Sequence, residues 1–202
     1  LLWKYDTDFL NSRDVQSFVV FHRSVEGVTD VENFKLPTEK SKVLKTFNHI
    51  HPNLIRIIDK ASKILSWRIY ERLPLPALLF GNSKTLLIGD AGHPMSPFSG
   101  QGANQALEDA GALLILLSNL PRKEDMRARL KVFEEVRLKR VSRIQVMAAV
   151  PLKAGNPLIE RQHEFVQRDD GPPKGLSFPE SFYWDFKYNV FEYCENALEK
   201  RR

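Results

Sequence analysis

The sequence is poor in cysteine. Cys194 stands alone in 202 residues, which excludes an internal disulfide and with it the stapled architecture of small secreted scaffolds. A buried small hydrophobe and a spectator thiol are equally good readings of that residue. Long apolar runs are missing too, the longest being 110–117, well short of the roughly 18 residues a membrane-spanning helix needs. No membrane span is expected. The opening "LLWKYDTDFL" lacks an initiator methionine, a basic signal region and any targeting pattern, so it reads as the interior of a longer protein, with a cytoplasmic location expected.

Further chemistries are excluded by motifs the chain does not have. After Gly100, Gln101 and Gly102 a phosphate loop would need Lys and then Ser or Thr, but Ala103 and Asn104 follow. A hydrolase nucleophile turn would need glycine two residues either side of Ser99, where Pro97 and Gln101 stand. The dinucleotide fingerprint G-x-G-x-x-G would need a third glycine where Gln105 stands, and no other glycine pair offers the spacing. His49 and His51 form an H-x-H pair with no cysteine or carboxylate cluster beside it, so surface or core histidines are expected and no metal. Asp90 and His93 have neither further ligands nor a nucleophile near them in sequence, and no residue is assigned a catalytic role.

What is present is a globular composition. With 43% hydrophobic and 10% aromatic residues, a chain of this length can bury about 70% of its unfolded surface. The net charge of +5 is matched by one stretch, Arg122 to Arg143, which holds nine Lys or Arg against four Asp or Glu. That stretch also places Met126, Leu130, Phe133, Val136 or Arg137, Val141, Ile144 and Met147 or Ala148 at helical spacing. An amphipathic helix with a solvated basic face is expected, rather than a nucleic-acid surface, since no zinc-finger spacing or RNP-like motif accompanies it.

Along the chain, "VQSFVVFHRSV" alternates like a strand, with "LLWKY" as a candidate partner. Residues 39–63 predict two short helices broken at Pro52, and "SWRIYERLPL" returns to strand character. "FGNSKTLLIGD" predicts a turn and then a strand from Thr85 to Ile88, apolar on both sides and so expected inside a covered sheet. A helix from about Ala103 to Asn119 follows, with Ala103, Ala106, Leu107, Ala110, Leu114 and Leu117 as its expected apolar stripe and Pro121 closing it. Beyond Pro151 the Pro- and Gly-rich segments "GNPL" and "DDGPPKG" predict a surface excursion before "FYWDFKYNVFEYCENALEK" ends in a helix.

Five of the ten glycines lie between Leu86 and Leu117, in a strand, an acidic residue, a proline-bearing loop, a glycine loop and a helix N-terminus. Asp90 can accept hydrogen bonds from the hydroxyls of a polyol or ribose. Gly100 and Gly102 let backbone amides approach a flat ligand without Cβ obstruction. The first helical amides, at Ala103 and Asn104, aim partial positive charge at the same place, which favours an anionic or electron-accepting ring edge.

The run "LLIGDAGHPMSPFSGQGANQALEDA" resembles the second flavin-binding motif of the class A FAD-dependent aromatic-ring hydroxylases, in their salicylate-hydroxylase-like branch. "SWRIYERLPLPALLFGNSKT" is similar to the family's approach to that motif. "VFEEVRLKRVSRIQ" is similar to a family helix through Phe133, Glu134, Arg137, Arg140, Ile144 and Gln145. The resemblance implies FAD-binding positions at Gly89, Asp90, Pro97, Gly100, Gln101, Gly102, Ala103 and Asn104, with Asp90 on the ribitol chain and the amides of 102–104 facing the pyrimidine edge. Pro97 and Phe98 would line the substrate, and Gly92, where the family more commonly has alanine, looks like a harmless small-for-small change.

By the same resemblance the expected activity is hydroxylation of a small aromatic substrate with NADH or NADPH and O2. The expected fold is an α/β (α+β mixture) class: part of a three-layer FAD-binding fold joined to part of a β-sheet substrate domain, with the N-terminal dinucleotide-binding βαβ missing. Residues 1–80 would belong to the substrate domain, 81–150 to the FAD domain and 151–202 to a C-terminal extension. Exposed sheet edges would then favour self-association. The alternative expectation is a non-catalytic fragment or interaction protein that keeps half of the flavoprotein fold.

Overall fold

The computed structural model describes residues 3–6, 16–20, 36–66, 69, 72–118, 120, 122–149 and 178–201. The chain forms two compact units, Leu1–Arg68 and Ile69–Arg202.

In the first unit, β1 (Trp3–Asp6) pairs antiparallel with β2 (Gln16–Val19), Trp3 opposite Val19, so the predicted partnership is found; residues 21–25 of the predicted strand lie outside the described residues. β3 (Leu36–Pro37) pairs antiparallel with β4 (Leu65–Ser66). Between them lie α1 (Lys40–Thr46) and α2 (Pro52–Lys60). Pro52 opens α2 rather than merely ending α1, because the first helical position needs no amide donor and its φ is already helical. His51 caps that helix, its Nδ1 accepting from the Asn53 amide at 3.2 Å. Phe47 and Ile58 are buried.

The second unit is built on helices. β5 (Leu79–Phe80) and β6 (Thr85–Leu86) form a hairpin whose turn holds Gly81, Asn82 and Ser83 at positive φ. α3 (Gly102–Leu117) packs on α4 (Met126–Ala149) and on α6 (Val190–Glu199), with α5 (Phe178–Asp185) preceding α6. Leu78, Ala112, Leu116, Val132, Phe133, Val141, Val190 and Cys194 make the buried cluster. Gly111 sits where a Cβ would meet Val190 at 3.1 Å and Phe191 at 3.3 Å, so a larger residue would press α6 away from α3 by a few tenths of an ångström. Cys194 is a buried thiol, its pKa pushed up to about 11 by burial.

Four expectations are corrected. The strand of residues 85–88 is not inside a covered sheet: among the described residues it pairs only with β5, ends at Leu86, and leaves Thr85 and Ile88 exposed. The reason is local, since the tight turn at 81–84 returns the chain on itself and Gly89, at φ +55°, ends the extended run. The described strands pair two by two. Residues 72–75, within the predicted strand "SWRIYERLPL", are irregular; Pro74, with Pro76 just beyond the segment, suits turns and edges.

The third and fourth corrections concern the helices. On α3 the buried side chains are Gln105, Asp109, Ala112 and Leu116, while Leu107 and Leu114 of the predicted stripe are 71% and 62% exposed. On α4 the predicted basic face is not solvated throughout, because Arg137, Arg140 and Arg143 are buried. Acidic groups on α3 and α5 neutralise them, as described below. The fold is thus a helix-rich α+β mixture with small antiparallel sheets. No helix among the described residues is long and apolar enough to cross a membrane.

Candidate functional site

The loop between β6 and α3, together with the first turn of α3, carries every predicted cofactor position. Gly89 adopts a left-handed conformation that only glycine takes without strain, opening a single 3-10 turn, Gly89–Ala91. Its carbonyl accepts from the amides of Gly92 at 3.0 Å and His93 at 2.9 Å, closing the turn. That leaves the Asp90 side chain exposed, with its Oδ1 only 3.9 Å from where a Cβ on Gly102 would stand. The structure therefore brings Asp90 to the start of α3, which are twelve positions apart in sequence.

A second 3-10 turn, Pro97–Ser99, leads to Gly100, again left-handed at φ +64°, with nothing within 4 Å of a would-be Cβ. Pro97 is exposed and Phe98 half-buried. Among the described residues no side chain caps α3, so the amides of its first turn at Gly102, Ala103 and Asn104 lack the oxygen that normally satisfies them. Ala103 and Asn104 are exposed, whereas Gln101 turns inward and is buried, its Oε1 accepting from Asn104 Nδ2 at 3.5 Å. An open surface of uncapped amides, one nearby carboxylate and a Cβ-free backbone corner is an environment for a flat polar ring edge with a hydroxylated tail. It fits an FAD flavin.

Behind this open front the loop is fixed. The Ser96 hydroxyl donates to the Ala148 carbonyl at 2.7 Å, and Gln145 Nε2 donates to the carbonyls of Pro94 at 2.8 Å and Arg72 at 2.9 Å. Asp109 Oδ2 accepts from the Gly89 amide at 2.9 Å and pairs with His93 Nε2 at 2.7 Å, while Arg137 Nε donates to its Oδ1 at 2.8 Å. Arg137 continues to Glu108 at 2.5 Å and to the backbone and side-chain oxygens of Gln105 at 3.1 and 3.0 Å. Arg140 donates to Glu108 at 2.7 and 2.8 Å and to Asp185 at 3.2 Å, and Arg143 pairs with the same Asp185.

Burial works against ionisation of these acids, and the partners decide the outcome. For Asp109 the His93 hydrogen bond, the Arg137 charge and the Gly89 amide together outweigh burial and hold its pKa below the ordinary value. Arg140 and Arg137 do the same for Glu108. For Asp185 burial wins over Arg143 and Arg140, and its pKa is raised. Tyr188, under the Arg140 guanidinium at 3.8 Å, is pushed up to about 12 by burial.

The sequence reading missed Asp109, Glu108 and Ser96. A signal existed for the first two: with Gln105 they form a polar patch at i, i+3 and i+4 on an otherwise apolar helix, matching two arginines three apart on α4. Gly92 is not the harmless position expected. A Cβ there would stand 2.9 Å from the Leu87 carbonyl oxygen, so the backbone here has closed around glycine.

The stretch that carries this loop also matches known proteins. Residues 64–148 match the family model described as FAD binding domain. The FAD-dependent monooxygenase phomE' of Diaporthe leptostromiformis is 34% identical over 138 residues, covering 68% of this chain and 34% of that protein. The 6-hydroxynicotinate 3-monooxygenase of Bordetella bronchiseptica is 29% identical over 167 residues, covering 83% and 37%. A solved salicylate hydroxylase substrate complex shares the fold with TM-score 0.60 at 24% identity, over 88% of this chain and 42% of that one. The chain resembles class A FAD-dependent aromatic hydroxylases, and it spans about a third of the length of the curated relatives it matches.

Proposed function

We propose that this chain supplies the isoalloxazine and ribityl end of an FAD site in a monooxygenase that hydroxylates an aromatic or similar small organic substrate with NAD(P)H and O2. The observation that carries this reading is the uncapped N-terminus of α3 with Asp90 beside it, inside the stretch that matches the FAD binding domain model. The names of the relatives support the reaction class. Residues 81–150 would form the FAD-binding part and 1–80 would contribute to a substrate domain.

FAD, when bound, supplies the redox chemistry, taking hydride from the nicotinamide and activating oxygen. The protein's part is position and field. Asp90 accepts hydrogen bonds from the ribityl hydroxyls. The amides of Gly102, Ala103 and Asn104 present partial positive charge to the ring's pyrimidine edge, an effect worth about 0.3–2 kcal/mol, and they favour the ring as it gains negative charge on reduction. Gly100 keeps that approach clear of side-chain atoms, and Pro97 and Phe98 wall the ring from the substrate.

No G-x-G-x-x-G motif in the 202 residues offers a second site for the ADP half. FAD and riboflavin titrated into the chain, followed by flavin fluorescence, should therefore bind with affinities within about threefold of each other, since each factor of ten needs about 1.4 kcal/mol of extra contact. Absence of any binding would leave the alternative, an interaction protein that keeps half of the fold. Self-association through the open edges of the two-stranded sheets is part of the same proposal, and sedimentation velocity reads it directly.

A further inference from the structure

We infer that Asp109 and His93 form a positioning pair for the flavin loop, setting the turn that delivers Asp90 and the α3 amides to the ring. This inference rests on the flavin reading above. One carboxylate oxygen of Asp109 receives both ends of the turn, the Gly89 amide at 2.9 Å and His93 Nε2 at 2.7 Å. Its other oxygen is locked by Arg137 on α4 at 2.8 Å. Asp109, His93 and Arg137 are each 1% exposed or less, so none of the three touches a ligand at the open front.

The pair has a single purpose. An ionised Asp109 can only accept, so the His93 proton sits on Nε2. Among the described residues His93 Nδ1 has no hydrogen-bond partner, which leaves the bond to Asp109 as the one its side chain makes there. The geometry couples the turn to α3 at a point directly behind the ligand face: Gly89 would place a Cβ 3.6 Å from Ala106, and Asp90 lies against Gly102. Releasing the turn from Asp109 frees Asp90 to move away from the amides with which it shares the ring's tail.

The test compares His93→Gln, whose side-chain amide can donate in place of Nε2, with His93→Leu, which cannot. Asp109→Asn serves as a third variant. Each is prepared as the 202-residue chain, at a temperature where circular dichroism shows it folded, and is read twice: by hydrogen exchange of residues 89–102, and by FAD titration. Expected are faster exchange and about tenfold weaker FAD binding for His93→Leu and Asp109→Asn, the loss of one charge-assisted hydrogen bond, with His93→Gln within about twofold of the parent. Unchanged exchange in His93→Leu overturns the inference whatever FAD does. Faster exchange with unchanged FAD affinity also overturns it, reducing the pair to packing. A parent chain that binds no FAD, with faster exchange still seen in the variants, overturns the flavin reading and this inference with it, and that result is distinct from the other two.

Discussion

The first two turns of α3 invert ordinary amphipathicity, while Ala112 and Leu116 further along the helix keep apolar side chains inside. Facing the core are Gln105 and Asp109, with Glu108 at the edge of the seam; facing outward are Leu107 and Leu114, among the most exposed large hydrophobics described. Hydrophobicity alone assigns these faces the other way. What reverses them is α4, which brings Arg137 and Arg140 to the seam and makes the polar face the one with partners. A buried carboxylate with guanidinium donors is tolerable, whereas a buried arginine without carboxylate acceptors is not. The comparison teaches that pairing across the seam, not the apolar stripe, sets the rotation of α3 and therefore where its N-terminus points.

The sharpest way to break this comparison is Arg137→Ala. It would strand Asp109 and Glu108 without their shared cation, and a loss of about 3–5 kcal/mol is expected, read as a lower urea midpoint. A change below about 1 kcal/mol would mean that the seam is held by apolar packing alone. On the open side, Asp90→Ala should leave stability nearly unchanged but weaken FAD binding by about tenfold to a hundredfold, the range for a hydrogen bond to a charged group. Equal affinities by fluorescence titration would remove Asp90 from the site.

Gly92→Ala should cost about 1–3 kcal/mol through overpacking against the Leu87 carbonyl, measurable as a drop in Tm. A neutral result would show that the backbone relaxes readily at this turn. Acid should act on the inward face alone. Asp109 and Glu108 have folded pKa values below their ordinary 3.8 and 4.5, so their stabilisation is complete above those values and is lost as pH falls through the lowered ones. Asp185, with its pKa raised, works in the opposite sense: its ionised form costs stability, and that cost disappears as pH falls through its folded pKa. Thermal melts from about pH 6 to about pH 3 should show a net decline that is smaller in Asp109→Asn than in the parent. The smallest effect is expected from Leu114→Ala, within about 0.5 kcal/mol, since little of that side chain is buried.

Local patterns made much of this molecule legible. Both helices around Pro52 form where the sequence places them, because proline and a capping histidine act within a few residues. The start of α3 was likewise readable from Gly100, Gly102 and the apolar run that follows. The resemblance in α4 was informative for the same reason: Phe133, Arg137, Arg140, Ile144 and Gln145 recur at helical spacing, and each is buried on the working side of the helix. Glu134 extends that side, accepting the amides of Leu78 and Leu79 at 2.6 and 2.8 Å.

By itself the sequence determined the elements and the open loop, since turn glycines, prolines and helical periodicity are short-range and need no partner to act. Only the tertiary structure decided which side of α3 is inside, because that choice compares the cost of burying Asp109 with the stabilisation gained from residues 16 and 28 positions away. The same long-range pairing turned the expected solvated arginines inward and gave the flavin loop its anchor. A charge reads as surface in sequence, and as core only when its counter-charge arrives from another helix.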